Sequence, residues 1–318
     1  MPKPFERALE LAERGRGTTD PNPVVGAVVV AGDEVVGEGW HERAGGPHAE
    51  LIALEAAGDR TRGATLYVTL EPCAHYGRTP PCVDAIVAAG IARVVVGAPD
   101  PTPKTDGQGF ARLREARVDV ELLDGEPARR ARRQNEAWRT WIAAGRPFVT
   151  YKAAVTLDGR VVVPESRWVT GEESHRRVHE LRAASDAVAV GMGTVRADAP
   201  RLDARGVEAG RQPRRLAFGT GPLPEGSELE LVAGPLDETL KRLAAEGVQS
   251  LLLEGGPTLA SSFLREGLVD KLLLFVAPTL AGSGRRWVDE LGASLSLAGL
   301  EAERVGDDLL LTGYISEP

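Results

Sequence analysis

The sequence predicts two α/β domains in one chain, and three observations support that prediction. The chain has 318 residues, which is long for one compact core and comfortable for two. Short β-branched runs alternate with segments of helical period along both halves of the sequence. The helix-breaking Gly145-Arg146-Pro147 separates an arginine-rich segment from a new strand at Phe148. We therefore predict one domain over 1–145 and a second over 146–318.

The first half begins with a predicted helix at Phe5, followed by a hairpin of two strands, 24–30 and 34–39. The elements predicted after the hairpin are helix 48–57, strand 64–70, helix 82–89, strand 92–97, helix 110–116 and strand 118–122. This alternation favours a mixed sheet covered by helices. The arginine-rich segment 127–144 is interpreted as a solvated connecting helix, since it lacks the interleaved aromatic residues of a nucleic-acid surface.

The second half repeats the alternation of strands and helices. Strands are predicted at 148–154, 186–190, 214–219, 250–254, 271–277 and 309–315, and helices at 171–183, 236–245 and 257–265. The last strand is expected at an edge of the sheet or as a hairpin partner. Gly255 and Gly256 leave bare amides beside Pro257, an arrangement that can bind the phosphates of a cofactor. A tight strand–helix turn without a ligand explains the same residues equally well.

Composition and charge restrict the classes of partner. The formal net charge is −8, whereas proteins that bind nucleic acid usually carry a basic excess. The longest apolar runs, such as Leu272–Ala277, are too short to cross a bilayer. No charged start followed by an apolar core and a small-residue cleavage site is found, so we expect a cytoplasmic protein. Small-molecule chemistry without nucleic acid or membrane partners is favoured.

A zinc site is predicted in the first half. His48 opens a predicted helix, Cys73 follows a predicted strand, and Cys82 begins the next helix. Three such ligands suit a tetrahedral Zn²⁺ that keeps its fourth position for water. Glu50, two residues after His48, can reach that water as the catalytic proton carrier without ligating the metal. The alternative is a structural zinc closed by a fourth protein ligand, for which His75 is available.

Three motifs of the first half resemble the deaminase half of a bifunctional deaminase/reductase family of riboflavin biosynthesis. They are Pro21-Asn22-Pro23, His48-Ala49-Glu50 and the segment 67–82. Cytidine and tRNA deaminases are less similar, because only two residues separate their paired cysteines. The resemblance implies a cytidine-deaminase-like three-layer α/β/α domain. It also implies substrate contacts from Asn22, His41, His75 and Arg78, with a further loop that begins at Asp100.

Motifs of the second half resemble the reductase half of the same family. They are Lys152–Gly159, Ser166-Arg167-Trp168, Leu181–Ala187, Gly193–Pro200 and Glu254–Leu259. The resemblance implies a dihydrofolate-reductase-like α/β domain that uses NADPH. The residues implied to contact NADPH are Ala154, Trp168, Thr194, Asp198, Gly256, Pro257, Thr258, Leu259, Ala260, Ser261 and Ser262. The residues implied to contact substrate are Lys152, Ser166, Arg182, Leu202, Arg205 and Glu254, and their two arginines suit a ribose 5-phosphate.

The two halves together predict a two-step enzyme with one Zn²⁺ per chain and NADPH as cofactors. The first domain is expected to release the 2-amino group of 2,5-diamino-6-ribosylamino-4(3H)-pyrimidinone 5′-phosphate as ammonia. The second is expected to reduce the ribose of the product to ribityl, and the resemblance implies a homo-oligomer, either a dimer or a tetramer. Two alternatives remain open: a deaminase of tRNA or single-stranded DNA with an appended binding domain, and a non-catalytic scaffold stabilised by zinc.

Overall fold

Two separate sheets organise the chain. The computed structural model describes residues 3–76, 80–103, 105–163, 166 and 168–318. The chain divides into two compact units, Met1–Ala143 and Ala144–Pro318, close to the boundary after residue 145 that the sequence predicts. Arg78, predicted as a substrate contact, lies outside the described residues. No helix in the described ranges is long and apolar enough to cross a membrane.

The first unit is a five-stranded mixed sheet with helices on both faces. Its strands are β1 (Gly26–Ala31), β2 (Glu34–Trp40), β3 (Thr65–Val68), β4 (Arg93–Val96) and β5 (Asp119–Leu122), in the spatial order β2-β1-β3-β4-β5. Its helices are α1 (Lys3–Glu13), α2 (Ala49–Ala57), α3 (Cys82–Ala88), α4 (Gln108–Glu115), α5 (Gly125–Gln134) and α6 (Glu136–Ala144). Pairing is antiparallel from β2 to β3 and parallel from β3 to β5.

Successive side chains of β1 face opposite helix layers. Val28 and Val30 pack with residues of α1, whereas Ala27 and Val29 belong to the core shared with α2, α3 and α4. This alternation follows from the pleat, which points neighbouring residues to opposite sides of the sheet. Burying one such valine side chain contributes about 1.5–3 kcal/mol. The predicted three-layer α/β/α arrangement is confirmed.

Two glycines of β2 determine how closely α2 approaches the sheet. A Cβ atom on Gly37 or Gly39 would lie 2.2 or 2.4 Å from carbonyl oxygens of α2. Any larger residue would therefore push the helix away from the strand. Because α2 begins at Ala49, this close contact fixes the positions of His48 and Glu50 relative to the sheet.

The arginine-rich segment differs from its prediction as a solvated connecting helix. It forms two helices, α5 and α6, and both contribute buried residues. Ala131 of α5 packs with Phe5 and Leu9 of α1, and Trp138 of α6 is 7% exposed. The prediction was wrong because the buried residues of α5 are alanines, which give little hydrophobic signal among so many arginines. The segment belongs to the core of the first unit.

The second unit is an eight-stranded sheet in the order β12-β13-β11-β6-β10-β7-β8-β9. Its strands are β6 (Phe148–Thr156), β7 (Ala187–Gly191), β8 (Arg214–Phe218), β9 (Glu230–Val232), β10 (Ser250–Leu253), β11 (Lys271–Ala277), β12 (Ala298–Val305) and β13 (Asp308–Tyr314). Its helices are α7 (Glu172–Ala183), α8 (Met192–Asp198), α9 (Leu236–Ala245) and α10 (Pro257–Arg265). The strands from β11 to β9 are parallel, and β11, β13 and β12 are antiparallel.

Helices cover both faces of this sheet as well. On one face, Leu240 of α9 and Phe263 of α10 are fully buried, and on the other, Val195 of α8 and Val178 of α7 pack against the strands. The predicted last strand is β13, which forms a hairpin with β12. The sequence analysis did not predict β12. β12 is exposed over nearly its whole length and so has no apolar alternation to detect.

A buried ion pair anchors the start of the second unit. Arg146 donates two hydrogen bonds of 2.7 and 2.8 Å to the Asp270 carboxylate, which also accepts the Val149 N–H at 2.8 Å. The Asp270 side chain is only 4% exposed. Removing the carboxylate would leave a guanidinium and an amide of β6 without their partner in a buried place.

We expect Asp270→Ala to lower the free energy of unfolding of the second unit by about 3 kcal/mol. Urea denaturation followed by tryptophan fluorescence and circular dichroism would measure the change. Glu228→Ala is the matched control, since Glu228 pairs with Arg215 while its own side chain is 72% exposed. The control should change stability by less than about 1 kcal/mol, and equal losses in both variants would contradict the role of Asp270.

Candidate active sites in the two units

Three predicted metal ligands meet in the first unit. His48 precedes α2, Cys82 is the first residue of α3, and Cys73 lies in the segment after β3. His48 Nδ1 is 3.1 Å from Cys82 Sγ and 3.6 Å from Cys73 Sγ, and all three ligand atoms lie within 4.8 Å of one another. Bonds of about 2.0–2.3 Å to a tetrahedral zinc ion would place its ligand atoms at similar separations. The donor set fits zinc.

The electrostatics of these residues favour binding of a cation. A hydrogen bond with Cys82, assisted by His48, lowers the pKa of Cys73 to about 4 despite burial. A separate hydrogen bond, between His48 and Cys73, raises the pKa of His48 to about 9. The pKa of Cys82 is raised by its hydrogen bond to Cys73 and by burial. A thiolate therefore exists at neutral pH, and metal binding displaces the remaining protons.

Glu50 lies in the first turn of α2 and is only 3% exposed. Burial raises the pKa of its carboxyl group, which is a hydrogen-bond partner of the Cys82 side chain. Among the described residues, the metal-binding group contains His48, Cys73 and Cys82, and Glu50 stands next to it. His75, the alternative fourth ligand, is instead 3.4 Å from the hydroxyl of Thr105. This arrangement favours a metal site with one open position over a closed structural site.

Two of the predicted substrate contacts are brought to the metal ligands. The His41 ring is fixed by a 2.9 Å contact between its Nδ1 and the carbonyl oxygen of Pro47, and its centroid lies 5.6 Å from that of His48. Burial lowers the pKa of His41. Its Nε2 is 3.4 Å from the amide nitrogen of Asn22, which fits a hydrogen bond donated by that amide to Nε2 of a neutral ring. An amide edge at Asn22 can recognise a pyrimidine.

Glu71 is a positioning residue that the sequence analysis missed. Its carboxylate is 3% exposed and accepts backbone N–H bonds from Asp100, Gly107 and Gly109 at 3.3, 3.3 and 3.0 Å. It therefore holds the loop that begins at Asp100, next to Cys73. A signal existed in the sequence, because a glutamate between a strand and Pro72-Cys73 is an unusual charge in a segment expected to be buried.

Asn135 is the second missed residue. It sits between α5 and α6, and its side-chain amide exchanges two 2.9 Å hydrogen bonds with the backbone of Val24. This pairing fixes the chain immediately after Asn22. The chain contains only two asparagines, Asn22 and Asn135, so their rarity was the available signal. Nothing in the local pattern links residues that are this far apart in sequence.

The second unit contains a buried cluster of three charged residues. Arg182 of α7 donates two hydrogen bonds of 2.6 and 2.9 Å to the carboxylate of Glu254, and Lys152 Nζ of β6 is 3.9 Å from the same carboxylate. Their side chains are 9–15% exposed. Burial would raise the pKa of Glu254, but its hydrogen bonds with Arg182 and the charge of Lys152 lower it; burial lowers the pKa of Lys152. The carboxylate stays ionised.

The remaining predicted substrate contacts lie around this cluster. Asp203 offers its carbonyl oxygen to Arg182 at 3.2 Å and its carboxylate to Arg205, so both arginines converge there. Leu202 is buried, and its positive φ of 55° turns the chain at this point. Ser166 is exposed. Its hydroxyl donates a 2.7 Å hydrogen bond to the Trp168 carbonyl oxygen and accepts a 3.1 Å hydrogen bond from the Trp168 N–H.

The predicted cofactor contacts lie at the carboxyl ends of neighbouring strands. Ala154 is on β6, Thr194 is on α8 after β7, and the turn after β10 begins α10 at Pro257. A Cβ on Gly256 would lie 3.3 Å from Thr194 Oγ1, so the turns after β7 and β10 adjoin. Trp168 is 55% exposed, and Asp198 is exposed at the end of α8.

The side chains of the α10 segment divide into two groups. Thr258 and Ser262 are outside the core, and Leu259 is partly buried. Pro257 is buried, and Ala260 and Ser261 are fully buried, with Ser261 Oγ accepting the Asp289 N–H at 2.8 Å. The first N–H groups of the helix have no hydrogen-bond partner within the helix itself. An anion at this turn would therefore be bound by backbone N–H groups more than by side chains.

Comparison with known proteins identifies the family. Residues 3–98 match the cytidine and deoxycytidylate deaminase zinc-binding region, and residues 147–311 match the RibD C-terminal domain. The riboflavin biosynthesis protein RibD of Aquifex aeolicus is 40% identical, over 96% of this chain and 95% of the relative. The chain belongs to the RibD family. RibD of Escherichia coli is 39% identical over 96% of each chain.

Solved RibD structures agree with the fold. Acinetobacter baumannii RibD superposes with a TM-score of 0.85 at 36% identity, covering 98% of this chain and 97% of that one. A Thermotoga maritima structure described as a diaminohydroxyphosphoribosylaminopyrimidine deaminase/5-amino-6-(5-phosphoribosylamino)uracil reductase gives 0.82 at 33% identity, with the same coverage. The predicted cytidine-deaminase-like and dihydrofolate-reductase-like domains are confirmed.

Membership in the RibD family establishes a bifunctional enzyme of riboflavin biosynthesis, with a deaminase half and a reductase half. Its cofactors are zinc, for which the first unit carries the His-Cys-Cys set, and NADPH in the reductase half. A nucleic-acid deaminase with an appended binding domain is not favoured, because the second half matches the RibD C-terminal domain.

Proposed function

We propose that the chain deaminates 2,5-diamino-6-ribosylamino-4(3H)-pyrimidinone 5′-phosphate and then reduces the ribose of the product to ribityl. The observation that carries the proposal is the coexistence of two sites in one chain. One is a three-ligand metal set with Glu50 beside it, and the other is the buried Lys152–Glu254–Arg182 cluster next to a glycine turn. The Thermotoga maritima relative named for these two activities supports the same pair of substrates.

In the first unit, His48, Cys73 and Cys82 would hold the metal. When bound there, zinc acts as a Lewis acid that brings the pKa of water near neutrality. Glu50 is placed to accept the proton of the attacking water and to pass a proton to the departing amine. Its burial suits both roles, because burial raises the pKa of the carboxyl group and so brings it closer to neutral pH. Asn22, His41, His75 and Arg78 are assigned to bind the substrate.

In the second unit, the reduction adds a hydride to carbon and a proton to the attached oxygen or nitrogen. NADPH supplies the hydride. We assign the proton to the Lys152–Glu254 pair, in which the Lys152 ammonium group donates it and the Glu254 carboxylate, 3.9 Å away, balances the charge in the same buried site. Arg182 holds Glu254 in one orientation through two parallel hydrogen bonds.

The substrate phosphate is assigned to the rim of this cluster. Arg205 is half exposed and stands with Arg182 at Asp203, so the two guanidinium groups concentrate positive charge there. Ser166 and Leu202 complete the assigned substrate contacts. The assigned NADPH contacts are Ala154, Trp168, Thr194, Asp198 and the segment 256–262, with the phosphates on the amides that open α10.

We also propose that the chain self-associates through the end of the second sheet. Leu300 of β12 and Leu309 of β13 are 62% and 43% exposed, and Leu295 and Leu297 before β12 are 45% and 36% exposed. Apolar side chains concentrated at an exposed sheet edge favour pairing with a second copy. Sedimentation equilibrium should give a dimer or a tetramer, and a monomer at micromolar concentration would contradict this assignment.

The decisive experiment supplies the diamino-pyrimidine phosphate and NADPH to the zinc-loaded chain. We expect one ammonia released and one NADPH oxidised for each substrate consumed. Removing zinc with a chelator should stop ammonia release, while NADPH oxidation with the deaminated intermediate continues. Ammonia release from single-stranded DNA or tRNA, without activity on the pyrimidine phosphate, would overturn the proposal.

A further inference from the structure

The assigned NADPH contacts follow the order of the strands in the second sheet. Ala154 lies on β6, the turn at Gly256 follows β10, and Thr194 follows β7. In the sheet these strands are consecutive and parallel, and β8 comes next. Their carboxyl ends therefore lie along one edge, where open α/β sheets bind their ligands. Neighbouring strands are about 4.8 Å apart, so β6 and β8 are separated by roughly 14 Å.

The direction of the cofactor along this edge follows from the chemistry. The nicotinamide must reach the Lys152–Glu254 pair, which lies at β6 and β10. The adjoining turns at Gly256 and Thr194 then receive the pyrophosphate. The adenosine half has only one direction left, toward the end of β8. The group that distinguishes NADPH from NADH, the 2′-phosphate of the adenosine ribose, is expected there.

The loop at the end of β8 presents an arginine to this position. Gly219-Thr220-Gly221 follows β8, and Arg196 of α8 donates a 2.9 Å hydrogen bond from Nη2 to the carbonyl oxygen of Thr220. A Cβ on Gly221 would lie 3.0 Å from the same nitrogen, so the guanidinium lies directly over the loop. Arg196 and Thr220 are both exposed, which leaves the other N–H groups and the Thr220 hydroxyl open to a ligand.

Arg196 differs from other arginines of this region in its charge balance. Arg201 pairs with Asp203, Arg214 with Glu230 and Glu246, and Arg215 with Glu228. For Arg196, the described residues provide no carboxylate within ion-pair distance, and its hydrogen bond goes to a neutral carbonyl. A guanidinium that is anchored but not neutralised is suited to bind a phosphate through charge-assisted hydrogen bonds.

We propose that Arg196, with the Thr220 loop, binds the 2′-phosphate of NADPH and makes the reductase half selective for NADPH over NADH. This inference rests on the proposed function, whose assigned NADPH contacts set the direction of the cofactor along the sheet edge. Arg285 is the rival cation, since its Nη2 lies 2.5 Å from Thr258 Oγ1 in the α10 turn. Because that turn is assigned to the pyrophosphate, Arg285 would act equally on both cofactors.

The test measures binding to the full-length, zinc-loaded chain by isothermal titration calorimetry, without substrate. Arg196→Gln is expected to weaken NADPH and 2′,5′-ADP by roughly 10- to 100-fold and to leave NADH within about twofold. Arg196→Lys keeps the charge but loses the paired donors, so its affinity for NADPH should lie between those of the wild type and Arg196→Gln. Raising the salt concentration should narrow the difference between wild type and Arg196→Gln.

Arg285→Gln is the matched control. We expect it to change NADPH and NADH affinity by the same factor and so to preserve selectivity. Loss of selectivity in Arg285→Gln but not in Arg196→Gln would overturn the proposal, as would equal weakening of both cofactors by Arg196→Gln. These outcomes differ from failure of the proposed function itself, in which the wild-type chain would bind neither NADPH nor 2′,5′-ADP.

Discussion

Replacing Glu50 with glutamine should leave one zinc ion bound per chain and slow ammonia release by about 10²- to 10⁴-fold. The amide keeps the shape of the side chain but cannot take a proton from water. His48, Cys73 and Cys82 remain in place, so the metal content measured by atomic absorption should not change. The rate of NADPH oxidation with the deaminated intermediate should also stay at the wild-type value, because that site lies in the other unit.

Glu55→Gln provides the control for this variant. Glu55 lies on the same helix and is exposed, and it does not belong to the group of metal ligands. It should release ammonia at the wild-type rate. Normal ammonia release by Glu50→Gln with a full complement of zinc would rule out Glu50 as the proton carrier. Loss of zinc in that variant would mean that Glu50 helps to hold the metal.

Replacing Glu254 with glutamine should have the largest effect in the second unit. The substitution leaves Lys152 and Arg182 buried without their shared counter-charge. We expect the free energy of unfolding of this unit to fall by about 3 kcal/mol. The reductase rate should fall by about 10²-fold or more, since the assigned proton-transfer pair is lost. Ammonia release by the first unit should be unchanged.

The pH dependence of this variant gives a separate test. The pKa of Glu254 is lowered in the folded protein, so its contribution to stability is present above the ordinary carboxyl pKa and is lost as the pH falls through the lowered value. The stability difference between wild type and Glu254→Gln should therefore be largest near neutral pH and shrink in acid. Glu180→Gln, at an exposed ion pair of α7, should show no such trend. A constant difference at every pH would contradict the ionised state of Glu254.

The sequence predicted most of the regular structure because the core strands carry unambiguous patterns. Val188 and Val190 on one face, and Ala187 and Ala189 on the other, form an apolar run between polar turns. Where the pattern was weak, prediction failed. The three-residue strand β9 and the short helix α8 are near the lower limit of length, and β12 is exposed along almost its full length.

The metal ligands could be predicted because His48, Cys73 and Cys82 are rare residues whose chemistry is specific. The roles of Glu71 and Asn135 could not be predicted, because each side chain hydrogen-bonds to backbone groups far away in sequence. Every residue has such backbone groups, so the sequence does not indicate which of them is the partner. The pairing of Arg182 with Glu254 could not be predicted for the same reason. Both residues were predicted individually as substrate contacts, but their mutual distance depends on how α7 packs beside β10.

The hydrogen bonds between Asn135 and Val24 have a practical consequence for dividing the enzyme into working pieces. The zinc-binding family region ends at residue 98, yet the side chain that fixes the segment after Asn22 lies further on, at the junction of α5 and α6. A fragment cut at the end of the family region would keep all three cysteine and histidine ligands and lose this clamp. The smallest autonomous deaminase should therefore extend past Trp138, to the end of the first unit at Ala143.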